Sequence, residues 1–197
     1  MRILGISFSG AEASVVLSDG VRSFEARMER NAAGGTPGPL VAQVLDQAGV
    51  AAAPEAVAVA LGPGSYTGIR MALSFAKTFA LVRGLPLYAF SDHAVLAALH
   101  GKPEETLCVQ HGGHGAKLYC SLWRVVEGLP QMVQAPRLCL PAECAPDIAV
   151  RCIGDRAHGA STYRWPDASN LVQLAQRAVA CGSSPADLLC VEPVLPA

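Results

Sequence analysis

The stretch that decides the fold is VALGPGSYTGIRMALSFAKTFALVRG, residues 59–84. Three glycines and a proline fall within the seven residues 62–68, between a short apolar run typical of a buried strand and a long helical pattern. A strand that turns this tightly into a helix can hold a phosphate, present a nucleophile, or let two backbone segments approach closely. The spacing of the residues distinguishes these roles.

Three enzymatic interpretations of the turn fail on spacing. A phosphate-binding P-loop needs a lysine directly after its last glycine, but Gly68 is followed by Ile69. The dinucleotide-binding fingerprint G-x-G-x-x-G is broken because one extra residue separates Gly64 from Gly68. A nucleophile elbow, G-x-S-x-G, needs glycines two residues on either side of its serine, and Ser65 has none there.

A structural role for the turn remains. We expect Ser65 or Thr67 to cap the first amides of the following helix, and Gly68 to allow another segment to approach closely. The sequence therefore predicts a structural turn made by Gly62, Pro63, Gly64, Ser65 and Thr67.

The helix after the turn, about residues 68–83, is apolar over most of its circumference. Small residues form one ridge at i, i+4 spacing, bulky residues form a second beside it, and the polar stripe is narrow. Such a helix must be covered on two sides, one by its own sheet and the other by a neighbouring helix of the same chain or by a second protein. The residues that we predict at a partner interface are Gly68, Arg70, Met71, Ala72, Phe75, Ala76, Phe79 and Ala80.

The composition narrows the classes of partner. Of the 197 residues, 51% are hydrophobic and only 16% are charged, which suggests that a partner covers part of the surface. Fifteen basic and 16 acidic residues give a net charge of −1, so direct binding to RNA is disfavoured. No apolar run reaches the ~18 residues of a membrane span, and Gly5, Ser7 and Ser9 interrupt the N-terminal run. We expect a cytoplasmic protein without membrane association.

No cluster of metal ligands or catalytic residues stands out along the chain. The seven cysteines are an odd number without Cys-x-x-Cys spacing, which predicts reduced, mostly buried thiols. His111 and His114 have the residue type of metal ligands but no third ligand nearby, and we interpret them as part of a solvated turn. Asp155, His158 and Ser161 have the residue types of a hydrolase triad but no elbow. We expect no catalytic residue, metal or cofactor.

The order of elements predicts an α/β fold. A strand meander with a turn at Asp19-Gly20 is followed by helix, strand, helix, strand and helix, which suggests a mixed sheet with helices on its faces. A second meander and a final helix at about residues 170–182 follow. We predict an N-terminal lobe over residues 1–100 and a smaller, divergent lobe over residues 101–197.

Two segments carry a family resemblance. MRILGISFSGAEASVVLSDG at the start and ALGPGSYTGIRMALSFAKTFALVRGLPLYAFS at residues 60–91 resemble the TsaB family, also called YeaZ. The resemblance implies an actin-like, sugar-kinase-like (ASKHA) fold of two lobes and a subunit without catalysis of its own. It also implies a heterodimer with TsaD, formed through helices of the first lobe. TsaD transfers a threonylcarbamoyl group to an adenosine of tRNA, and the ATPase TsaE joins the assembly, so tRNA contact would be indirect.

One departure from the family pattern bears on activity. Family members usually carry an aspartate followed by Thr-Ser on the first strand, where this chain has Ser7, Phe8 and Ser9. Losing that carboxylate removes an anchor for magnesium, so nucleotide hydrolysis is not expected.

The alternative interpretation is a metal-dependent peptidase-like or ATP-using enzyme of the same superfamily. Without its partner, the chain is expected to pair its apolar helix face with a second copy.

Overall fold

The computed structural model describes residues 1–29, 35–49, 52–113, 115–144, 150–154 and 165–194. The chain forms two compact units, the first made of Met1–Phe90 and Pro166–Pro193, the second of Ser91–Trp165 and Val194–Ala197. Among the helices within those ranges, none combines the length and the apolar character needed to cross a bilayer.

The first unit is built on a five-stranded mixed sheet of order β3-β2-β1-β4-β5. β1 pairs antiparallel with β2 and β2 with β3, whereas β1 pairs parallel with β4 and β4 with β5. The strands are β1 (Ile3–Ser7), β2 (Glu12–Ser18), β3 (Ser23–Glu29), β4 (Ala56–Ala60) and β5 (Leu87–Phe90).

Helices cover both faces of this sheet. Leu4 and Ile6 of β1 join one apolar core with residues of the helices α1 (Pro37–Ala48) and α2 (Tyr66–Arg83). Gly5, between them, touches Val172 of the helix α4 (Ala168–Ala180). Successive side chains of a strand point to opposite faces, so α4 lies on the face opposite α1 and α2. The apolar run of β1 follows from this burial on both faces.

The second unit has a four-stranded sheet of order β8-β7-β6-β9, in which β6 pairs antiparallel with β7, β7 antiparallel with β8, and β6 parallel with β9. One helix, α3, packs against β6, β7 and β8. A short 3-10 helix, Pro141–Glu143, follows β8. The bounds of the remaining elements are α3 (Asp92–His100), β6 (Thr106–Gly112), β7 (Leu118–Val126), β8 (Leu129–Cys139) and β9 (Arg151–Ile153).

The two observed units differ in two places from the predicted lobes, 1–100 and 101–197. The helix α3 belongs to the second unit because it packs on the second sheet. The helix α4 belongs to the first unit because it packs on β1, β2 and β4, far from it in sequence.

Candidate functional site

The turn between β4 and α2 is fastened to the turn that follows β1. Ser65 caps α2, since its side chain accepts a hydrogen bond from the Gly68 amide at 3.3 Å. Its own amide donates to the Ser9 carbonyl oxygen at 2.8 Å. Of the two capping residues that the sequence offers, Ser65 makes the contact, whereas Thr67 is exposed. The turn thus joins the N-terminus of α2 to the end of β1.

The glycines of the turn are in contact with protein backbone. A Cβ at Gly68 would lie 2.1 Å from the Phe8 carbonyl oxygen, and one at Gly64 would lie 2.4 Å from the Ser9 carbonyl oxygen. Gly62 has a φ of 91°, in the region that favours glycine, next to buried Pro63. Gly64 before α2 and Gly68 in its first turn therefore allow two chain segments to approach each other.

The residues of this turn do not fit the magnesium nucleotide that actin-like ATPases hold after the first strand. Ser7 and Ser9 are buried, with their hydroxyl oxygens 3.4 Å apart, and Phe8 between them is buried in the core. The first carboxylate after β1 is Glu12, whose oxygen lies 2.8 Å from an Arg27 nitrogen. Hard cations prefer carboxylate ligands, and this turn offers none that is free of an ion pair.

The small ridge of α2 faces inward. Ala72, Ala76 and Ala80 are 0% exposed, and Gly68 is buried with them. The structure thus buries four of the predicted interface residues inside the first unit. Small side chains let the helix lie close to β4, which explains why this ridge is the inner one.

The opposite side of α2 is open in the first unit. Arg70 is exposed and stacks over the Tyr66 ring at 5.3 Å from its centroid. Leu81 and Val82 are 70% and 76% exposed. The bulky ridge has an intermediate position: Met71, Phe75 and Phe79 are half-buried and pack against the core.

A histidine pair lies on the α3 side of the second sheet. His93 of α3 is fully buried, and its Nδ1 lies 2.6 Å from the Ser121 hydroxyl oxygen. Burial holds the pKa of His93 down to about 3, with a smaller contribution from His111. His111 is buried on β6 and packs against Tyr119 and the Trp165 ring. The interpretation of His111 as part of a solvated turn is therefore wrong, because it lies in a strand among aromatic rings.

The other face of the second sheet carries a group of thiols that sequence spacing does not reveal. Cys120, Cys139 and Cys144 are buried, and their three sulfurs lie within 4.8 Å of one another. Cys108 is buried beside them, 3.3 Å from the Cys120 sulfur. Hydrogen bonding from Cys108 and burial raise the pKa of Cys120. The sequence contained one indication of this group: Cys108, Cys120 and Cys139 lie in the predicted strands of the second meander.

Some predicted residues lie outside the described part of the chain. They are His114, Asp155, His158 and Ser161. The buried cysteine prediction holds for the group above, whereas Cys181 and Cys190 are exposed.

A 3-2-1-4-5 mixed sheet with helices on both faces, and a second α/β unit inserted before its last helix, is the fold class of actin-like, sugar-kinase-like proteins. Residues 36–144 match the family model of TsaD, tRNA N6-adenosine threonylcarbamoyltransferase. That match spans more than half of the chain, including the glycine turn and α2. The chain therefore belongs to this TsaD-related family, and its resemblance to the TsaB (YeaZ) proteins is confirmed.

Individual relatives agree with this family. The Bacillus subtilis (strain 168) tRNA threonylcarbamoyladenosine biosynthesis protein TsaB is 32% identical over 77 residues, which are 39% of this chain and 34% of that protein. The alignment thus spans about a third of that relative.

Two solved structures share the fold over their whole length. YeaZ from Pseudomonas aeruginosa has a TM-score of 0.77 at 24% identity, covering 98% of this chain and 100% of its own. A protein described as uncharacterized, with similarity to peptidase YEAZ from Pseudomonas aeruginosa, has a TM-score of 0.79 at 22% identity, covering 100% and 99%. At these identities the likeness concerns the fold.

Proposed function

We propose that this protein is a non-catalytic partner subunit of a TsaD-type enzyme that makes threonylcarbamoyladenosine in tRNA. The family match and the name of the Bacillus subtilis relative support a role in this modification. The chain would act as a scaffold that forms a heterodimer with TsaD in the cytoplasm. TsaE would join the larger complex, and tRNA would contact the chain only indirectly.

The main support for a non-catalytic subunit is the turn after β1, whose backbone packs against the start of α2. There the Ser9 carbonyl oxygen accepts from the Ser65 amide, and Phe8 packs against Gly68. Protein backbone therefore takes up the Ser65 amide and the space beside Gly68, and the first carboxylate after β1, Glu12, is paired with Arg27 rather than free to hold a magnesium ion. A subunit built this way supports an enzyme without holding a nucleotide at this turn.

The outer side of α2 is the surface that we assign to TsaD. Leu81 and Val82 are exposed near the C-terminal end of α2 and Arg70 is exposed near its N-terminal end, while Met71 and Phe75 between them are half-buried. This revises the residues predicted from the helical pattern, because Gly68, Ala72, Ala76 and Ala80 face the sheet. When TsaD is missing, the same apolar side is expected to pair with a second copy of the chain.

Mixing the purified chain with TsaD from the same organism tests the heterodimer. We expect a stable one-to-one complex in size-exclusion chromatography, and Leu81→Asp to weaken it about ten- to a hundredfold, because a charge then replaces an apolar contact. Val133→Asp is the matched control, since Val133 is also an exposed aliphatic residue but lies on β8. Equal binding by wild type and Leu81→Asp would refute α2 as the interface.

The enzymatic alternative is tested on the isolated chain. A peptidase or ATP-using enzyme would hydrolyse peptide or ATP in the absence of TsaD, with turnover that follows the protein through purification. We expect no turnover above a buffer control. Stimulation of modification only when TsaD is present would support the subunit role, and turnover by the chain alone would overturn it.

A further inference from the structure

Four buried thiols meet on the face of the second sheet that is opposite α3. Cys108 comes from β6, Cys120 from β7, Cys139 from the end of β8, and Cys144 follows the 3-10 helix. Each is at most 5% exposed. They form a single apolar cluster with Leu118. The fold thus brings together four thiols from three strands and the turn after the last of them.

Two pairs of sulfurs lie closer together than the sulfurs around one zinc ion, and three of the sulfurs lie within reach of one ion. The Cys139 and Cys144 sulfurs lie 2.7 Å apart, and those of Cys108 and Cys120 3.3 Å apart. Sulfurs on one tetrahedral zinc ion, each bonded at about 2.3 Å, lie about 3.8 Å from one another. Three of the four thiols, those of Cys120, Cys139 and Cys144, have all their mutual distances within 4.8 Å. The Cys108 sulfur lies outside this group of three, so it reaches an ion bound by Cys120, Cys139 and Cys144 only if its side chain moves toward them.

The turn after β8 presents two of these thiols together. The Leu140 amide donates to a Glu143 carboxylate oxygen at 2.8 Å, and the Cys144 amide donates to the Pro141 carbonyl oxygen at 3.3 Å. Arg137 holds the same turn by donating to the Glu143 carbonyl oxygen at 2.9 Å. These bonds fix the backbone between Cys139 and Cys144, so both thiols are pre-positioned at the sheet.

One side-chain hydrogen-bond donor and one cation lie near the sulfurs. The Gln110 amide nitrogen lies 3.6 Å from the Cys108 sulfur and 3.6 Å from the Cys152 sulfur, so it can donate to a sulfur ligand. Such donors outside the ligand shell orient metal-bound groups and tune their affinity. The hydrogen bond with Cys108 and burial raise the pKa of Cys120, and the positive charge of Arg137 opposes them only in small part, so the metal ion itself must displace the proton. Water is kept out by Leu118, Leu122 and Val150.

We propose that Cys120, Cys139 and Cys144, with Cys108 as the fourth ligand, bind one thiophilic metal ion of closed d shell, Zn²⁺ or Cu⁺. Each thiol that coordinates loses its proton to solvent, and neither sulfur nor metal changes oxidation state. A set of buried sulfur ligands without an open position makes a structural site. The site is independent of the proposed scaffold function and departs from the sequence-based expectation of no metal.

A disulfide explains fewer of the observations. A bond between Cys139 and Cys144 would need their sulfurs about 2.05 Å apart and would leave Cys120 and Cys108 side by side without a role. A purely apolar core would explain burial but not the two close sulfur pairs or the amide of Gln110 among them. A metal ion uses all four thiols.

Metal content of the full-length chain tests the proposal. The protein is purified without chelators, and bound Zn²⁺ and copper are measured by mass spectrometry of the elements; refolded protein is then titrated with Co²⁺ and, without oxygen, with Cu⁺. We expect one ion per chain and a sulfur-to-cobalt charge-transfer band. A stoichiometry of zero for all three ions, with a well-folded chain, would overturn the proposal.

Substitutions locate the ion. Cys139→Ser and Cys120→Ser are expected to lose at least about a hundredfold in affinity, and Gln110→Ala about tenfold to a hundredfold. Cys190→Ser is the matched control, because Cys190 is an exposed thiol outside the cluster. Should Cys120→Ser fail to fold, the cobalt spectrum of the Gln110→Ala chain still reports on the site. Unchanged metal content in Cys139→Ser, or an intact mass two units low in the wild-type chain, indicating a disulfide, would contradict it.

Discussion

Only a hydrogen atom fits at position 68. A Cβ there would lie 2.1 Å from the Phe8 carbonyl oxygen and 3.2 Å from its carbonyl carbon, and neither atom belongs to a flexible side chain. We therefore predict that Gly68→Ala destabilises the protein by about 1–3 kcal/mol or more through overpacking. This outweighs the ~1 kcal/mol by which alanine favours a helix over glycine. Urea unfolding measures the difference.

Ser74→Ala is the control for that change. Ser74 lies on the exposed side of the same helix, so its replacement should alter the free energy of unfolding by less than about 0.5 kcal/mol. If Gly68→Ala were as stable as Ser74→Ala, the close approach of α2 to the end of β1 would be in error.

His93 makes the stability of the fold depend on pH. Its folded-state pKa is lowered from 6.5 to about 3 by burial, and the groups that face it are Ser121 and His111. The unfolded chain binds a proton at this histidine at higher pH than the folded chain does. The free energy of unfolding is therefore unaffected by His93 above pH 6.5 and decreases as the pH falls from 6.5 toward 3. Between pH 6.5 and 5 we expect a loss of about 2 kcal/mol, measured by urea unfolding.

The variant His93→Gln separates this effect from other titrations. It is less stable at neutral pH but lacks the proton linkage, so its stability should fall less between pH 6.5 and 5. The lowered pKa values of His100 and Glu105 act equally in both proteins and cancel in the comparison. Parallel curves for wild type and variant would show that His93 is not the group responsible.

At the scale of elements, the helical pattern of residues 68–83 predicts α2 but not its rotation. Both ridges are apolar, so the pattern alone left open which one meets the sheet. The structure turns Ala72, Ala76 and Ala80 inward, where small side chains permit close packing on β4. The choice depends on the shape of the opposing strands, which a single helical sequence does not contain.

The position of the thiol cluster could likewise be predicted only in part from the sequence. Strand alternation predicts that Cys108 and Cys120 each lie on one face of a strand, but the register between β6 and β7 decides whether they share a face. In the structure Gln110 pairs with Cys120, which places Cys108 diagonally beside it. The register of β6 and β7 depends on the turn between them and on the packing around that turn. The spacing of the cysteines in the sequence predicts neither.

The start of α4 is tied to β3 by one side chain. Asp167 caps the helix by accepting from the Asn170 amide at 3.1 Å, and its other oxygen accepts from Arg27 at 2.6 Å. Asp167→Ala should cost about 0.5–2 kcal/mol for the lost cap, measured by thermal or urea unfolding.

Asp167→Asn distinguishes the cap from the ion pair. Asparagine keeps an acceptor for the Asn170 amide and loses only the charge facing Arg27, which is worth about 0.2–1 kcal/mol at a partly exposed site. The expected order of stability is wild type, then Asp167→Asn, then Asp167→Ala. An Asn variant as unstable as the Ala variant would assign the stabilisation to the charge.

At the scale of the whole molecule, α4 returns to the first unit after the intervening segment Ser91–Trp165, which belongs to the second. The sequence predicts this helix from its apolar spacing. The sequence does not predict which of the two sheets this helix packs on, because an amphipathic helix can cover an apolar face of either sheet. What fixes it is specific: Gly5 of β1 leaves room for Val172, and the Ser14 hydroxyl oxygen accepts from the Ala168 amide at 2.9 Å.

A chain that ends at residue 165 should therefore lose the first unit, although it retains every strand of that sheet. Without α4 the apolar side chains of β1, β2 and β4 on that face meet water, at about 25 cal/mol for each Å² exposed. We expect such a chain to bind a hydrophobic dye and to lose cooperative unfolding, as followed by fluorescence and circular dichroism. A peptide of residues 166–193 added in trans should restore cooperativity, and the same peptide with Val172→Asp should not, because that charge would lie against Gly5. Cooperative unfolding of the shortened chain on its own would mean that α4 is not needed to complete the first unit.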